Sequence, residues 1–362
     1  MKKIVIGGLG ILLILGVVRF LASKSQISKP APATNYSIRT TPLKSVFVPY
    51  WSGEINEKDT RYTTYYYFGI RPTREGKIDE DEGLKQITLV ENIPNKNKEL
   101  VLRMLDASVT EIILKNKDIQ KTLISEVQNI LVKKSFSGLI LDIEIPFTLQ
   151  ANKQNQITQF VQQMCTVIKA NYKSCDMLVY GDFSYRKRPY DLKKLGQYAD
   201  KILLMAYDFH KSGGEPGPNF PFDSGSASSP SLRASPLTIN YGYDFKQMIS
   251  DAISLVPKEK IEVVFGMYGY DWTLNEQGTP LKSAKALTLK EIQALNSNSK
   301  MLYVTSYVLH GNDAREKNIQ YVDAEGQKHI IWYEDEESAQ IKTNYLQEQG
   351  ISKVSYWAYG YY

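Results

Sequence analysis

The stretch Phe136-Ser137-Gly138-Leu139-Ile140-Leu141-Asp142-Ile143-Glu144 reads as an apolar strand that ends in two carboxylates. Side chains along a strand alternate, so Leu139, Leu141 and Ile143 share one face while Ile140, Asp142 and Glu144 share the other. A run this apolar needs cover on both faces, as strands have in a parallel sheet with helices packed outside. In a (β/α)8 barrel the catalytic groups sit where strands end, at the C-terminal face. An Asp-x-Glu at a strand end can equally be a solvated terminus without a role, so the rest of the chain has to decide.

Working outward, strand-like and helix-like segments alternate from residue 44 onward, the pattern of βα units around a parallel sheet. Strands are predicted at 45–50, 62–70, 98–104, 138–144, 177–183, 200–207, 261–267 and 353–359, which makes eight. Apolar residues at helical spacing predict helices over 118–134, 156–171, 244–255 and 335–348. The fold expected is therefore an α/β (β/α)8 TIM barrel over residues 43–362. Two connections are too long for plain linkers. Residues 211–242, with a Ser-rich stretch at 224–236, follow the sixth strand and so lie over the C-terminal face. Residues 273–334 contain alternating segments of their own and read as a small α+β insertion after strand seven.

Residues 4–18 are an unbroken apolar run behind Lys2 and Lys3, followed by Arg19. Residues 1–22 are expected to be a signal or, since no small-x-small cleavage site follows, an uncleaved membrane anchor with the domain outside the cytoplasm. Residues 23–42, rich in Ser, Pro, Lys and Thr, read as a tether. With Lys2, Lys3 and Arg19 set aside, 41 of the 44 Lys and Arg remain against 39 Asp and Glu. That near balance is no footprint for nucleic acid. The two cysteines, Cys165 and Cys175, could be bridged after export or could be two core thiols. His210, His310 and His329 are scattered without ligand spacing, so no metal site and no cofactor are expected. A monomer is expected.

Four strand ends share an aromatic and acidic character: Pro49-Tyr50-Trp51, Met205-Ala206-Tyr207-Asp208, Tyr268-Gly269-Tyr270-Asp271-Trp272 and Tyr356-Trp357-Ala358-Tyr359. Strand ends that served only the core would be aliphatic. An aromatic mouth around carboxylates suits a sugar, because flat faces take apolar ring surfaces while acids take hydroxyl and amide groups.

With those motifs the chain resembles glycoside hydrolase family 18, the chitinase and N-acetylglucosaminidase family, over residues 44–362. The family's fourth-strand motif is Asp-x-x-Asp-x-Asp-x-Glu, at whose positions this chain has Ser137, Ile140, Asp142 and Glu144, so only the second half matches. Met205-Ala206-Tyr207-Asp208 is similar to the family's sixth-strand Met-x-Tyr-Asp, Tyr268-Gly269 to its seventh-strand Tyr-Gly, and Tyr356-Trp357-Ala358 to its last strand. Glu-Pro-Gly-Pro at 215–218 and the stretch 329–338 further resemble the branch with spore-cortex and cell-wall glucosaminidases.

The resemblance implies hydrolysis of β-linked N-acetylglucosamine glycans, peptidoglycan or chitin-like. Glu144 would be the acid, Asp142 the group that orients the acetamido N–H, and Tyr207 the donor to the acetamido oxygen. Trp357 would be the platform under the reacting sugar, and Asp208, Met205, Tyr268, Trp51 and Phe68 would line the site. Geometry agrees, because residues two apart on one strand face lie side by side, with Cα atoms roughly 6.5–7 Å apart. They cannot flank a glycosidic bond, whereas substrate-assisted hydrolysis needs an acid on one side only. Ile140 is the departure. Without an acid there Asp142 loses a proton-sharing neighbour, so slower turnover or an altered pH dependence is expected. The alternative is a sugar-binding, lectin-like protein on the same barrel.

Overall fold

A computed structural model describes residues 45–56, 59–94, 96–145, 151–224, 241–296, 304–307 and 314–362. The expected anchor at 1–22, the tether at 23–42 and most of the Ser-rich stretch lie outside the described residues. No helix among the described residues is long and apolar enough to cross a membrane.

In chain order the strands are β1 (Ser45–Pro49), β2 (Thr64–Ile70), β3 (Asn97–Met104), β4 (Gly138–Ile143), β5 (Ser174–Tyr180), β6 (Ile202–Ala206) and β7 (Ile261–Gly266), followed by β8 (Tyr268–Leu274), β9 (Lys285–Thr288), β10 (Val304–Tyr307), β11 (Lys317–Val322), β12 (Lys328–Tyr333) and β13 (Lys353–Trp357). Strands β1 to β7 and β13 close into a parallel barrel in the order β1-β13-β7-β6-β5-β4-β3-β2. This is the (β/α)8 architecture expected from the alternating segments. Helices such as Lys117–Lys133 and Ala151–Lys169 cover its outside. Asn116 and Asp106 start two of them by accepting backbone N–H groups of the first turn, which meets donors that a helix leaves unpaired.

The alternation read in β4 separates two apolar layers. Leu139, Leu141 and Ile143 join the shell between barrel and helices. Ile140 points inward and packs with Val101, Leu178, Leu203 and Val264. Below that layer a polar one fills the barrel's N-terminal end, where Lys201 Nζ lies within 3.6 Å of Glu99, Asp176 and Glu262.

The insertion is a five-stranded sheet in the order β10-β11-β12-β8-β9, with a helix at Leu289–Asn296. It starts earlier than residue 273. Only Met267 separates β7 from β8, so Tyr268–Leu274, whose first half read as the end of strand seven, is the first strand of the insertion. The barrel strand stops at Gly266, where a Cβ would meet Tyr207 Cβ at 2.6 Å and Tyr268 Cε1 at 2.7 Å. Glycine there lets two aromatic residues converge on the mouth. Strand β5 likewise begins at Ser174, three residues before the expected start, which puts Cys175 on it. Cys175 is disulfide-bonded to Cys165 on the preceding helix.

Candidate active site

Asp142 lies at the barrel mouth with no solvent-accessible surface. As a carboxylate, neither of its oxygens finds a donor among the described residues. Its neighbour in register, Arg103 on β3, is already committed: the guanidinium donates to the Gly69 carbonyl (Nε 3.0 Å) and reaches Asp81 at 3.3 Å. Burial, and then the charge of Glu144, push the Asp142 pKa well above the carboxylate range, with Arg103 opposing. A proton shared with Glu144 supplies the missing donor and adds to the rise. Ile140 beneath it supplies none.

Glu144 sits one residue past the end of β4. Burial raises its pKa, and Asp208 adds to this, whereas a hydrogen bond from Tyr180 and the charges of Lys211 and Arg188 act against it. The result is a carboxyl that holds its proton above the usual range, as a general acid working near neutral pH must. Tyr180, the last residue of β5, donates its hydroxyl to Glu144 Oε2. Its ring has the Arg188 guanidinium 3.9 Å and the Lys211 ammonium 5.1 Å from its centroid. Tyr190 donates to the Ile143 carbonyl at 2.7 Å and so pins the strand end that carries the pair.

Sequence reading missed Tyr180 because strand five was carried on to residue 183. Had the strand been stopped at Tyr180, it would have joined the other aromatic strand ends. Its hydrogen bond stabilises the Glu144 carboxylate, so Tyr180→Phe is expected to raise the Glu144 pKa further. The alkaline limb of the kcat/KM profile then moves to higher pH. A limb that moved down would mean that another group sets it.

Tyr207 and Asp208 are the first two residues beyond β6. Asp208 adopts a left-handed conformation, φ 57°, held from two sides. Its backbone N–H donates to Asn219 Oδ1 at 2.8 Å, and its Oδ1 accepts from the hydroxyls of Tyr268 and Tyr270, the latter at 2.8 Å. Asn219 also donates to the Gly266 carbonyl at 3.1 Å, tying the ends of β6 and β7 together. The backbone N–H groups of Asn219 and Phe220 donate to Glu316, and the buried Lys342 ammonium binds Glu316 and Glu334. Asn219, Tyr270, Glu316 and Lys342 carried no motif and were not singled out. The Tyr207 pKa rises through burial first, then through the charges of Glu144 and Asp142, so its hydroxyl lies in the field of both carboxyls. Met205, almost fully buried, lines the barrel interior with Phe68.

The opposite wall is aromatic. Trp357 ends β13, which lies across the closed barrel from β4. Its ring packs edge-on against Phe68 at 4.8 Å and lies 5.7 Å from Phe47, 6.3 Å from Trp51 and 6.5 Å from Tyr207. Trp51 stays half exposed, at 50%, and Tyr268 lies 6.1 Å from Tyr207. All nine residues singled out in the sequence thus gather on one end of the barrel. Asp142, Glu144, Tyr207 and Asp208 form a polar side, and Trp357, Trp51 and Phe68 an apolar side.

Residues 50–361 match the family described as glycosyl hydrolases family 18. A cortical fragment-lytic enzyme of Bacillus anthracis is 26% identical over 311 residues, 83% of this chain and 65% of that protein. The chain therefore spans about two thirds of the length of that curated relative. The fold is similar to the crystal structure of the Bacillus cereus spore cortex-lytic enzyme SleL, with a TM-score of 0.66 at 22% identity over 88% of this chain and 72% of that one. It is similar also to a class V chitinase from Nicotiana tobaccum, with a TM-score of 0.71 at 16% identity over 88% of this chain and 94% of that one. With the match running from the end of β1 to the penultimate residue, and the barrel shared with these enzymes, the chain belongs to glycosyl hydrolases family 18.

Proposed function

We propose that the chain hydrolyses β-linked N-acetylglucosaminides of a peptidoglycan-like or chitin-like glycan by a substrate-assisted, retaining route. Glu144 gives its proton to the leaving oxygen as the substrate's acetamido oxygen attacks the anomeric carbon and the glycosidic bond breaks. With the pair's shared proton on Glu144 before the step, Asp142 as the carboxylate accepts the acetamido N–H and balances the oxazolinium charge, while the Tyr207 hydroxyl donates to the acetamido oxygen. Glu144, now a carboxylate, takes a proton from the water that opens the ring, and the configuration is retained.

The observation that carries this reading is the side-by-side pair, buried Asp142 and half-buried Glu144, facing an aromatic wall. Conventional two-carboxylate hydrolysis needs acids on both sides of the sugar. The wall across the mouth is made of Trp357, Trp51 and Phe68, none of them an acid. Asp208, the acid that follows Tyr207 at the mouth, has one oxygen taken by two tyrosine hydroxyls.

The choice of a cell-wall glycan draws on the relatives named for cortex lysis. Action outside the cytoplasm draws on the disulfide, which persists in oxidising compartments, and on the apolar run at 4–18 as an anchor. Ile140 favours a second reading, a sugar-binding protein with catalysis lost. The test is turnover of an N-acetylglucosamine oligomer against the matching glucose oligomer. The acetamido compound is expected to be hydrolysed and the glucosyl one to turn over negligibly. Comparable rates would require a protein nucleophile such as Asp208 and would overturn the substrate-assisted route. No turnover of either would favour the binder.

A further inference from the structure

Four arginines around the mouth are held by partners. Arg103 is held by Gly69 and Asp81, and Arg71 by Asp79 and Asp81. Arg186 and Arg188 both bind Asp182, the latter at 2.8 Å. Lys211 has no ion pair among the described residues, although its ammonium lies 5.1 Å from the centroid of the Tyr180 ring, whose hydroxyl binds Glu144.

The backbone beside Lys211 is anchored. Gly214 N–H donates to the Lys211 carbonyl at 2.9 Å, Ala284 N–H to the Ser212 carbonyl at 2.7 Å, and Trp272 Nε1 to the Gly214 carbonyl at 3.0 Å. A fixed turn thus presents an unpaired ammonium beside the acid. Around the barrel, Trp357 and Phe68 belong to β13 and β2 and Trp51 lies just past β1, whereas Tyr180 ends β5 and Lys211 follows β6 on the far side. A glycan whose reacting ring lies on the aromatic wall passes Glu144 and leads its leaving sugar toward Lys211.

The geometry points to Lys211 as a specificity determinant that pairs with a carboxylate on the leaving sugar, so that the preferred substrate is an N-acetylglucosaminyl unit linked to an acidic amino sugar such as N-acetylmuramic acid. This rests on the sugar-binding site proposed above and names its second sugar. A compact ammonium suits a single carboxylate, and a site that places a cation where the sugar is charged discriminates against a neutral one. It has a consequence for the acid as well. A carboxylate bound to Lys211 cancels a charge that opposes the raised Glu144 pKa, so the substrate itself helps to keep the acid protonated.

The test is calorimetric binding to the full chain carrying Glu144→Gln, which holds substrate without cleaving it. Its ligands are the disaccharide N-acetylglucosaminyl-N-acetylmuramic acid, its methyl ester, and the form with L-alanine amide-linked to the lactyl group. The free acid is expected to bind about 5-fold or more tighter than the ester, the scale of a partly desolvated charge-assisted contact. Adding Lys211→Gln should bring the two together, and Lys211→Arg should keep them apart. Tightest binding of the alanyl form, again lost with Lys211→Gln, would keep the carboxylate and assign it to the attached peptide. Equal affinities for acid and ester, or a preference that survives Lys211→Gln, would overturn the proposal. Failure of the wild-type chain to cleave both the acidic disaccharide and a neutral N-acetylglucosamine oligomer would instead count against the hydrolase reading, and the binding comparison does not depend on it.

Discussion

Replacing Glu144 by glutamine is expected to lower kcat by about 10²- to 10⁴-fold, the range that a positioned general acid supplies, while sugar binding and the melting temperature stay close to wild type. The amide keeps the shape of the side chain and an oxygen for the Tyr180 hydroxyl, so the fold around β4 has no reason to change. What it loses is the proton. In the wild type, burial raises the Glu144 pKa, so the alkaline limb of kcat/KM should lie above the ~4.3 of a free glutamate. Steady-state rates on an N-acetylglucosamine oligomer, with calorimetry and circular dichroism as controls, decide the matter. Hydrolysis that continued unchanged would remove Glu144 from the mechanism.

Asp142→Asn separates function from stability. Turnover should fall by about 10²- to 10³-fold, as for the loss of one preorganised electrostatic group, yet the folded protein should gain stability at neutral pH. The sign follows from the proton. Burial and Glu144 hold the folded-state pKa of Asp142 well above the carboxylate range, whereas in the unfolded chain it ionises near ~3.9. The folded state binds the proton more tightly, so this residue's contribution is fully present below about pH 4 and is lost as pH rises toward the folded pKa. Asparagine has no titrating proton to lose. The melting-temperature difference, variant minus wild type, should be near zero at pH 4 and grow to several degrees by pH 8, at roughly 2–4 °C per kcal/mol. A variant that melts lower than wild type at pH 8 would show that Asp142 is held there as a carboxylate. Such an outcome would contradict the shared proton. An active site that retains a buried, under-satisfied acid gives up stability for function.

The departure at Ile140 gains a physical meaning from this pair. The isoleucine packs with Val101, Leu178, Leu203 and Val264 inside the barrel, directly below Asp142 on the same face of β4. With no acid beneath, the only carboxyl among the described residues from which Asp142 can borrow a proton in this arrangement is Glu144, the proposed acid. The two titrate as a unit, which ties the protonation of the acid to that of its neighbour.

What the chain alone determined was periodic. Alternation in β4 assigned Leu139, Leu141 and Ile143 to one layer and Ile140 and Asp142 to the other, because side-chain direction along a strand is a local property with a period of two. The rhythm of strands and helices determined the barrel for a similar reason, and aromatic strand ends marked the mouth before any contact was known. Tertiary structure decided everything that depends on residues far apart meeting. Tyr180 reaches Glu144 from the next strand, Asn219 holds Asp208 through the end of β7, and Tyr270 reaches Asp208 from a strand that had been read as part of the barrel. Whether Cys165 and Cys175 would meet was open until the helix and β5 brought their Cα atoms to 5.2 Å. Burial decided the chemistry. A carboxyl's charge state depends on how much water and which charges surround it, and those are properties of the closed barrel, which no short stretch of sequence carries.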